Sequence, residues 1–284
     1  MYTLRNKGSW AKISHSFCIV QESDDSRSLF LIDTLKQGIS EGSAIILAID
    51  SDPDEFAELL KRNGFDTKQL IDRGILTILD RESIYSIAET RLEAEPLRNK
   101  WFSLISDIKK KSGCQNVMAI GTAKVFFDTN NIEKLLDYEQ KIGRSFGNIA
   151  IDAICYFDAG TFSQLGLARI IHFLDYHEHV VYQGGIYLQW QPQMIVEVIN
   201  RSIDTVLGQG TSILLQRMMK IIHRLDYDAV LLSKPELFEE QLRKIFGKSA
   251  DPVLARIQKE IVAHLSYLSK YDRDVGLGGM NITN

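Results

Sequence analysis

The chain has 284 residues, 45% of them hydrophobic and 25% charged, with a formal net charge of −4 at pH 7. That length suits one large domain plus a small one, or two mid-sized domains, and five prolines without a low-complexity run exclude extensive disorder. The acidic balance leaves no electrostatic footprint for nucleic acid, whose binders carry a basic face. The one short basic run, Lys109-Lys110-Lys111, falls where a helix ends and complements the helix dipole.

Cys18, Cys114 and Cys155 lie far apart and form no CxxC pair. With no signal-peptide pattern at the start, this usage points to a reducing cytosol. No apolar run approaches the roughly 20 residues that a membrane crossing needs. The reading is a soluble, cytoplasmic protein.

In chain order, residues 14–20 form the first predicted strand. A helix over 27–41 follows, with Leu29, Phe30, Ile32, Leu35 and Ile39 as its apolar stripe and Gly42 suited to the left-handed position beyond its end. Residues 44–49 are almost wholly apolar, as a strand covered on both faces must be. Asp52-Pro53 opens a helix to Arg62, and 67–73 form a second short one. A buried strand over 75–79 comes next, and the polar stretch 81–95 reads as a mobile connection with some helix. Residues 96–111 form a long amphipathic helix facing inward with Trp101, Leu104, Ile105 and Ile108, followed by a strand over 117–120. An Asn-capped helix over 130–144, a strand over 149–157, a helix over 161–174 and a strand or hairpin over 180–188 complete this part.

Strands separated by helices predict the α/β class, a mainly parallel sheet flanked by helices with right-handed crossovers. Ligands of such sheets sit beyond the carboxyl ends of the strands. The residues that converge there are 21–26, 50–52, Asp80, 121–124 and 156–158. The first of these loops, QESDDSRS, occupies the place of a phosphate-binding loop but has no glycine, no lysine and three carboxylates. Beyond Pro192 only helical periodicity remains, over 195–207, 211–224, 235–246 and 252–268. The predicted organisation is therefore an α/β domain over 1–190, a small all-helical domain over 194–272 and a loose tail over 273–284. A helical unit this small is near the lower range for independent folding, so its helices also suit packing on a partner copy as a homodimer.

His15 with Cys18, the segment GISEGSAIILAID, the segment LLKRNGFDTKQLIDRGILTILD, the helix LLDYEQKI and the strand AICYFD resemble the sensory domain of methanogens and methylotrophs known as MEDS, over about 13–188. The resemblance implies a relative of RecA- and KaiC-type ATPases that has lost the phosphate-binding loop, and a role in sensing a small organic ligand. Carried over by position, its motif residues are His15, Cys18, Glu139, Cys155 and Tyr156. The chain departs from the Gly-Glu-Met of many members at Gly121-Thr122-Ala123. Its helical part, with Leu207-Gly208 and PELFEEQLRKIFGKSA, is similar to a small output domain of archaeal signalling proteins.

The candidate ligand-binding residues are His15, Cys18, Glu22, Asp24, Asp50, Thr122, Lys124, Glu139, Tyr156 and Asp158. His15 and Cys18 are three apart on a strand and point to opposite faces, so they cannot line one pocket without a bulge. Cys18 reads as a small buried hydrophobe, and His15 as either a surface residue or a ligand contact. Tyr156 and Asp158 share one strand face and Cys155 and Phe157 the other. A nucleophilic Cys155 needs a nearby base, and no Cys/His signature is present. Glu22, Asp24 and Asp25 suit a helix N-terminus with Ser26, with cation binding or phosphate exclusion as the functional alternative. Lys124 could meet an anion or remain solvated. His172, His177 and His179 could join Cys155 in a zinc set, but His172 and His177 are five apart, off the spacing that aligns ligands on a helix, and they read as ordinary loop histidines.

The resulting expectation is a sensory or regulatory protein that binds a small-molecule ligand or a protein signalling partner at the strand carboxyl ends, with a helical C-terminal domain that transmits the signal or dimerises. It names no catalytic residue, metal, cofactor, nucleic acid or membrane. The rivals are an atypical nucleotide hydrolase, a metal-dependent hydrolase and a pure protein-interaction scaffold. The missing G-x-x-x-x-G-K-[ST] pattern speaks against the first.

Overall fold

The computed structural model describes residues 14–21, 24–145, 151–182, 186–189 and 192–266. Among these, seven strands form one sheet: β1 (Ser14–Val20), β2 (Ala44–Ile49), β3 (Leu76–Asp80), β4 (Val117–Thr122), β5 (Ile151–Asp158), β6 (His179–Tyr182) and β7 (Ile186–Gln189). Their order is β3-β2-β4-β5-β1-β6-β7, all neighbours running parallel except the antiparallel β6–β7 edge. The α/β class and the parallel sheet are thus as the alternation predicts. Central β2 and β4 are buried at every residue, which is why they carry no polar alternation.

Helices cover both faces. On one, α1 (Asp24–Ser40) and α2 (Pro53–Arg62) press Phe30, Leu31, Leu35, Phe56 and Leu60 onto Cys18, Val20, Ile45, Leu47, Ile120, Ile154 and Tyr156. Asp52 caps α2 by accepting from the amides of Asp54 and Glu55. The short α3 (Thr67–Asp72) leads into β3.

The opposite face carries α6 (Ala94–Ser112) and α8 (Ile132–Ser145), reached through the short α4 (Glu82–Tyr85), α5 (Ile87–Thr90) and α7 (Lys124–Asp128). The polar connection after β3 is pinned by buried Ile84, Tyr85 and Leu92. Asn130 does not cap α8; it takes a left-handed turn at φ 54° before the helix starts at Ile132. A short polar side chain tolerates that conformation.

The single helix expected over 161–174 is broken. Asp158 caps α9 (Ala159–Phe162), a 3-10 turn follows, and Gly166 at φ 82° separates these from α10 (Leu167–Asp175). Glycine alone takes that backbone angle cheaply. Phe17, Phe157, Phe162 and Phe173 interlock here, with ring centroids 5.0–5.7 Å apart in four of their contacts. The hairpin β6–β7 matches expectation, whereas Gly184-Gly185 lie outside the described residues.

The helical region comprises α11 (Pro192–Leu207), α12 (Thr211–Ile221), α13 (Tyr227–Ser233), α14 (Pro235–Phe246) and α15 (Ala250–Leu265). Helix α13, capped by Asp226, was missed in the periodicity because it is only seven residues long. One contiguous apolar cluster joins these helices to the sheet, through Leu254, Ile257 and Ile261 of α15 and Ile170 and Ile171 of α10. The amide of Ala168 donates to Glu239, His172 meets Glu236 at 2.6 Å, and Ser266 forms a parallel bridge with Ile19. Helix α12 leaves Ile213, Leu214 and Ile221 exposed. No described helix is long and apolar enough to cross a membrane. The predicted tail lies outside the described residues.

Candidate functional site

Helix α8 turns Leu135, Tyr138, Glu139 and Ile142 toward the sheet. Positions three and four apart share one helical face, so a carboxylate sits within an otherwise core-facing stripe. Glu139 is fully buried. A charge removed from water must be paired. Its partners come from three other places in the chain.

His15, near the amino end of β1, places Nε2 3.2 Å from Glu139 Oε2. His177, just beyond α10, places its own Nε2 3.5 Å from the same oxygen. Cys155 on β5 brings Sγ to 3.5 Å from both Glu139 Oε2 and His15 Nε2. One ligand-type atom from each of the four residues lies within 4.8 Å of all the others, and all four residues are buried.

The backbone decides how the imidazoles present themselves. His15 Nδ1–H donates to the Tyr176 carbonyl at 3.0 Å, and His177 Nδ1–H donates to the Phe173 carbonyl at 2.8 Å. Carbonyls accept only, so both Nδ1 atoms carry hydrogen, and each ring turns Nε2 toward the carboxylate. The rings stack with centroids 4.1 Å apart. Phe17 and Phe173 wall off His177, at 5.3 and 4.3 Å between ring centroids.

Burial alone would raise the Glu139 carboxyl, but hydrogen bonding and charge from His15 and His177 outweigh it and hold it at about 2. Burial and the neighbouring His15 push His177 down to about 4, against the raising pull of Glu139. Burial, reinforced by Glu139, pushes the Cys155 thiol well up. Cys155 therefore does have a histidine beside it, while burial disfavours its thiolate.

Beside the cluster, Trp101 Nε1–H donates to the Tyr138 hydroxyl at 2.9 Å, and the hydroxyls of Tyr138 and Tyr85 lie 3.5 Å apart. Gly121 makes room for them. A Cβ there would stand 3.0 Å from the Tyr85 hydroxyl and 3.1 Å from the Trp101 ring.

The other predicted residues lie elsewhere. Cys18 faces the opposite side of the sheet from His15 and is a buried hydrophobe, as its three-residue spacing implies. Tyr156 shares that side, tilted against Phe30, with its side chain buried. Thr122 follows Met118 and Ile120 on the same side, so the departure from Gly-Glu-Met does not touch the buried cluster. At the strand ends, charges pair with one another: Arg81 Nη1 lies 2.9 Å from Asp50 and 2.7 Å from Asp128, and Lys124 Nζ lies 2.6 Å from Asp128. Lys124, still partly exposed, is thus paired with Asp128. Asp158 accepts from the Thr161 amide at 2.7 Å as a helix cap. Asp24 begins α1, three residues earlier than predicted, with Ser26 Oγ accepting from the Gln21 amide. Glu22 lies outside the described residues, and with it the cation-binding reading of the loop.

Of the predicted set, His15 and Glu139 meet in the buried cluster, while Cys18 and Thr122 flank Tyr156 in register on the other face of the sheet. Cys155 was a motif residue by resemblance alone, and His177 was set aside as a loop histidine; burial to 4% exposure corrects that. Its signal was in the sequence: His177 falls three and four residues after buried Leu174 and Phe173, continuing the core stripe of α10 past the helix end.

A family model described as MEDS, the methanogen/methylotroph DcmR sensory domain, matches residues 15–173, more than half of the chain. Three of the four clustered residues lie within the match, and His177 lies just beyond it. A comparison with curated proteins found no match.

Proposed function

This chain belongs to the MEDS sensory family, and from that premise we propose that it is a cytoplasmic sensory and regulatory protein whose input is read at the buried His15–Glu139–Cys155–His177 cluster. The observation that carries the reading is the position of His177. It is hydrogen-bonded to the end of α10, and the other end of that helix is hydrogen-bonded to α14 through Ala168 and Glu239. A ligand that binds two arrangements of His177 unequally shifts their populations, and α10 passes the difference to the helical region.

In this reading the helical region is the output element and the sheet is a RecA-like scaffold turned to another use. The loop 21–28, without glycine or lysine, supports the second point. The mutual pairing of Asp50, Arg81, Lys124 and Asp128 favours the sheet face over the strand ends as the ligand site.

The test is hydrogen exchange on the full chain, challenged separately with methanol, dichloromethane and zinc chloride. At least one challenge is expected to change exchange in both α10 and α14, while incubation with ATP and magnesium releases no phosphate. Unchanged exchange in α14 under every challenge, or steady phosphate release, overturns the reading.

A further inference from the structure

We propose that His15, Glu139, Cys155 and His177 together bind one divalent transition-metal ion: the histidines through Nε2, Cys155 as thiolate and Glu139 through a carboxylate oxygen. The inference rests on the sensory reading only in giving that cluster an occupant.

Geometry comes first. Bonds of about 2.0–2.1 Å to N or O and about 2.3 Å to S place the edges of a tetrahedron at roughly 3.3–3.6 Å. Four of the cluster's six separations are near these values, 3.2 Å for His15 to Glu139 and 3.5 Å for Cys155 to His15, Cys155 to Glu139 and His177 to Glu139, and all six lie within 4.8 Å. A central ion needs only small side-chain adjustments.

The hydrogen-bond inventory also asks for a cation. Both Nδ1–H groups are committed to main-chain carbonyls, the outer-sphere arrangement that fixes Nε2 as the metal-binding atom. Two Nε2 atoms then converge on a single carboxylate oxygen. His15 and His177 both approach Oε2, the latter only to 3.5 Å, and the buried Glu139 Oε1 is left without a hydrogen-bond partner. A buried polar atom without a partner is costly, so the arrangement calls for an explanation.

Charge closes the argument. When the ion binds, the thiol proton leaves to solvent, and carboxylate plus thiolate balance a 2+ charge, so the apolar surroundings enclose a neutral centre. Imidazole and thiolate ligands favour zinc, cobalt or iron over magnesium or calcium.

The test uses the full chain, stripped with chelator and dialysed. Added Co2+ is expected to give the near-ultraviolet thiolate-to-cobalt band and the intense visible bands of a tetrahedral site, saturating near one equivalent. Zn2+ should displace it, and elemental analysis after gel filtration should find about one zinc per chain. Cys155→Ser should abolish the thiolate band, Cys114→Ser should keep it, and His177→Ala should lower affinity by tenfold or more. Should a variant fail to fold, proton release on zinc binding to the wild type still reports thiol deprotonation.

Absence of the band with less than a tenth of an equivalent of retained metal overturns the proposal, as does a band that survives Cys155→Ser. The two readings fail separately. Zinc bound at the cluster with α14 exchange unchanged under every challenge sinks the sensory reading alone. A response to an organic solute without metal binding sinks this inference alone.

Discussion

His15 and His177 lie 162 positions apart in the chain, yet their rings stack at 4.1 Å and both anchor Nδ1 to carbonyls at the end of α10. The pair acts as a clasp between β1 and the α10–β6 connection. The Glu178 amide, which donates to the His15 carbonyl at 2.8 Å, fastens the same two segments through the backbone. Glu139 closes the clasp from the helix above.

Acid should loosen the metal-free protein in a defined window. His177 is held at about 4 against the usual 6.5, so between those values the unfolded chain binds a proton that the folded one refuses. Stability therefore falls as pH drops from 6.5 toward 4. Glu139, held at about 2 against the usual 4.5, extends the loss as pH falls from 4.5 toward 2. Urea midpoints measured from pH 7 to 3 should fall continuously, and a flat profile between 6.5 and 4 contradicts the assignment.

Glu139→Ala should destabilise the fold by about 3–5 kcal/mol, the usual effect of breaking a buried ion pair from one side. By contrast, Arg81→Ala removes a partly exposed partner of Asp50 and Asp128 and should cost about 1 kcal/mol or less. Urea unfolding of the two variants side by side checks the ranking.

Gly121→Ala should cost about 1–3 kcal/mol by overpacking, because the new methyl meets the Tyr85 hydroxyl and the Trp101 ring at 3.0–3.1 Å. Both neighbours are buried and cannot swing aside. Tryptophan fluorescence should shift along with the unfolding midpoint, since Trp101 also donates to Tyr138.

Phe173→Ala should cost about 3–5 kcal/mol. Phe173 packs against Phe17, Phe157 and Phe162 and backs the His177 ring at 4.3 Å. Differential scanning calorimetry provides the check. A loss under 1 kcal/mol means that the site collapses without a cavity.

Much of the fold was legible because the signals were local. The strands at Ser14–Val20 and Ala44–Ile49 and the helices Pro53–Arg62 and Pro235–Phe246 follow from apolar runs, prolines and caps. Short elements escaped: α7 and α13 span five and seven residues, too few for a helical period to declare itself. The break at Gly166 was hidden inside an unbroken apolar pattern.

The residues of this chain dictate its alternating α/β order and its helical C-terminal region, since each depends on neighbours within a turn or a strand. They also place Glu139 on a core-facing stripe. Which groups would meet that carboxylate was settled only when β1 paired with both β5 and β6 in parallel, bringing His15, Cys155 and His177 under one helix. Strand pairing at long range carries no local signature, because the hydrogen-bonding groups it joins are the same at every residue.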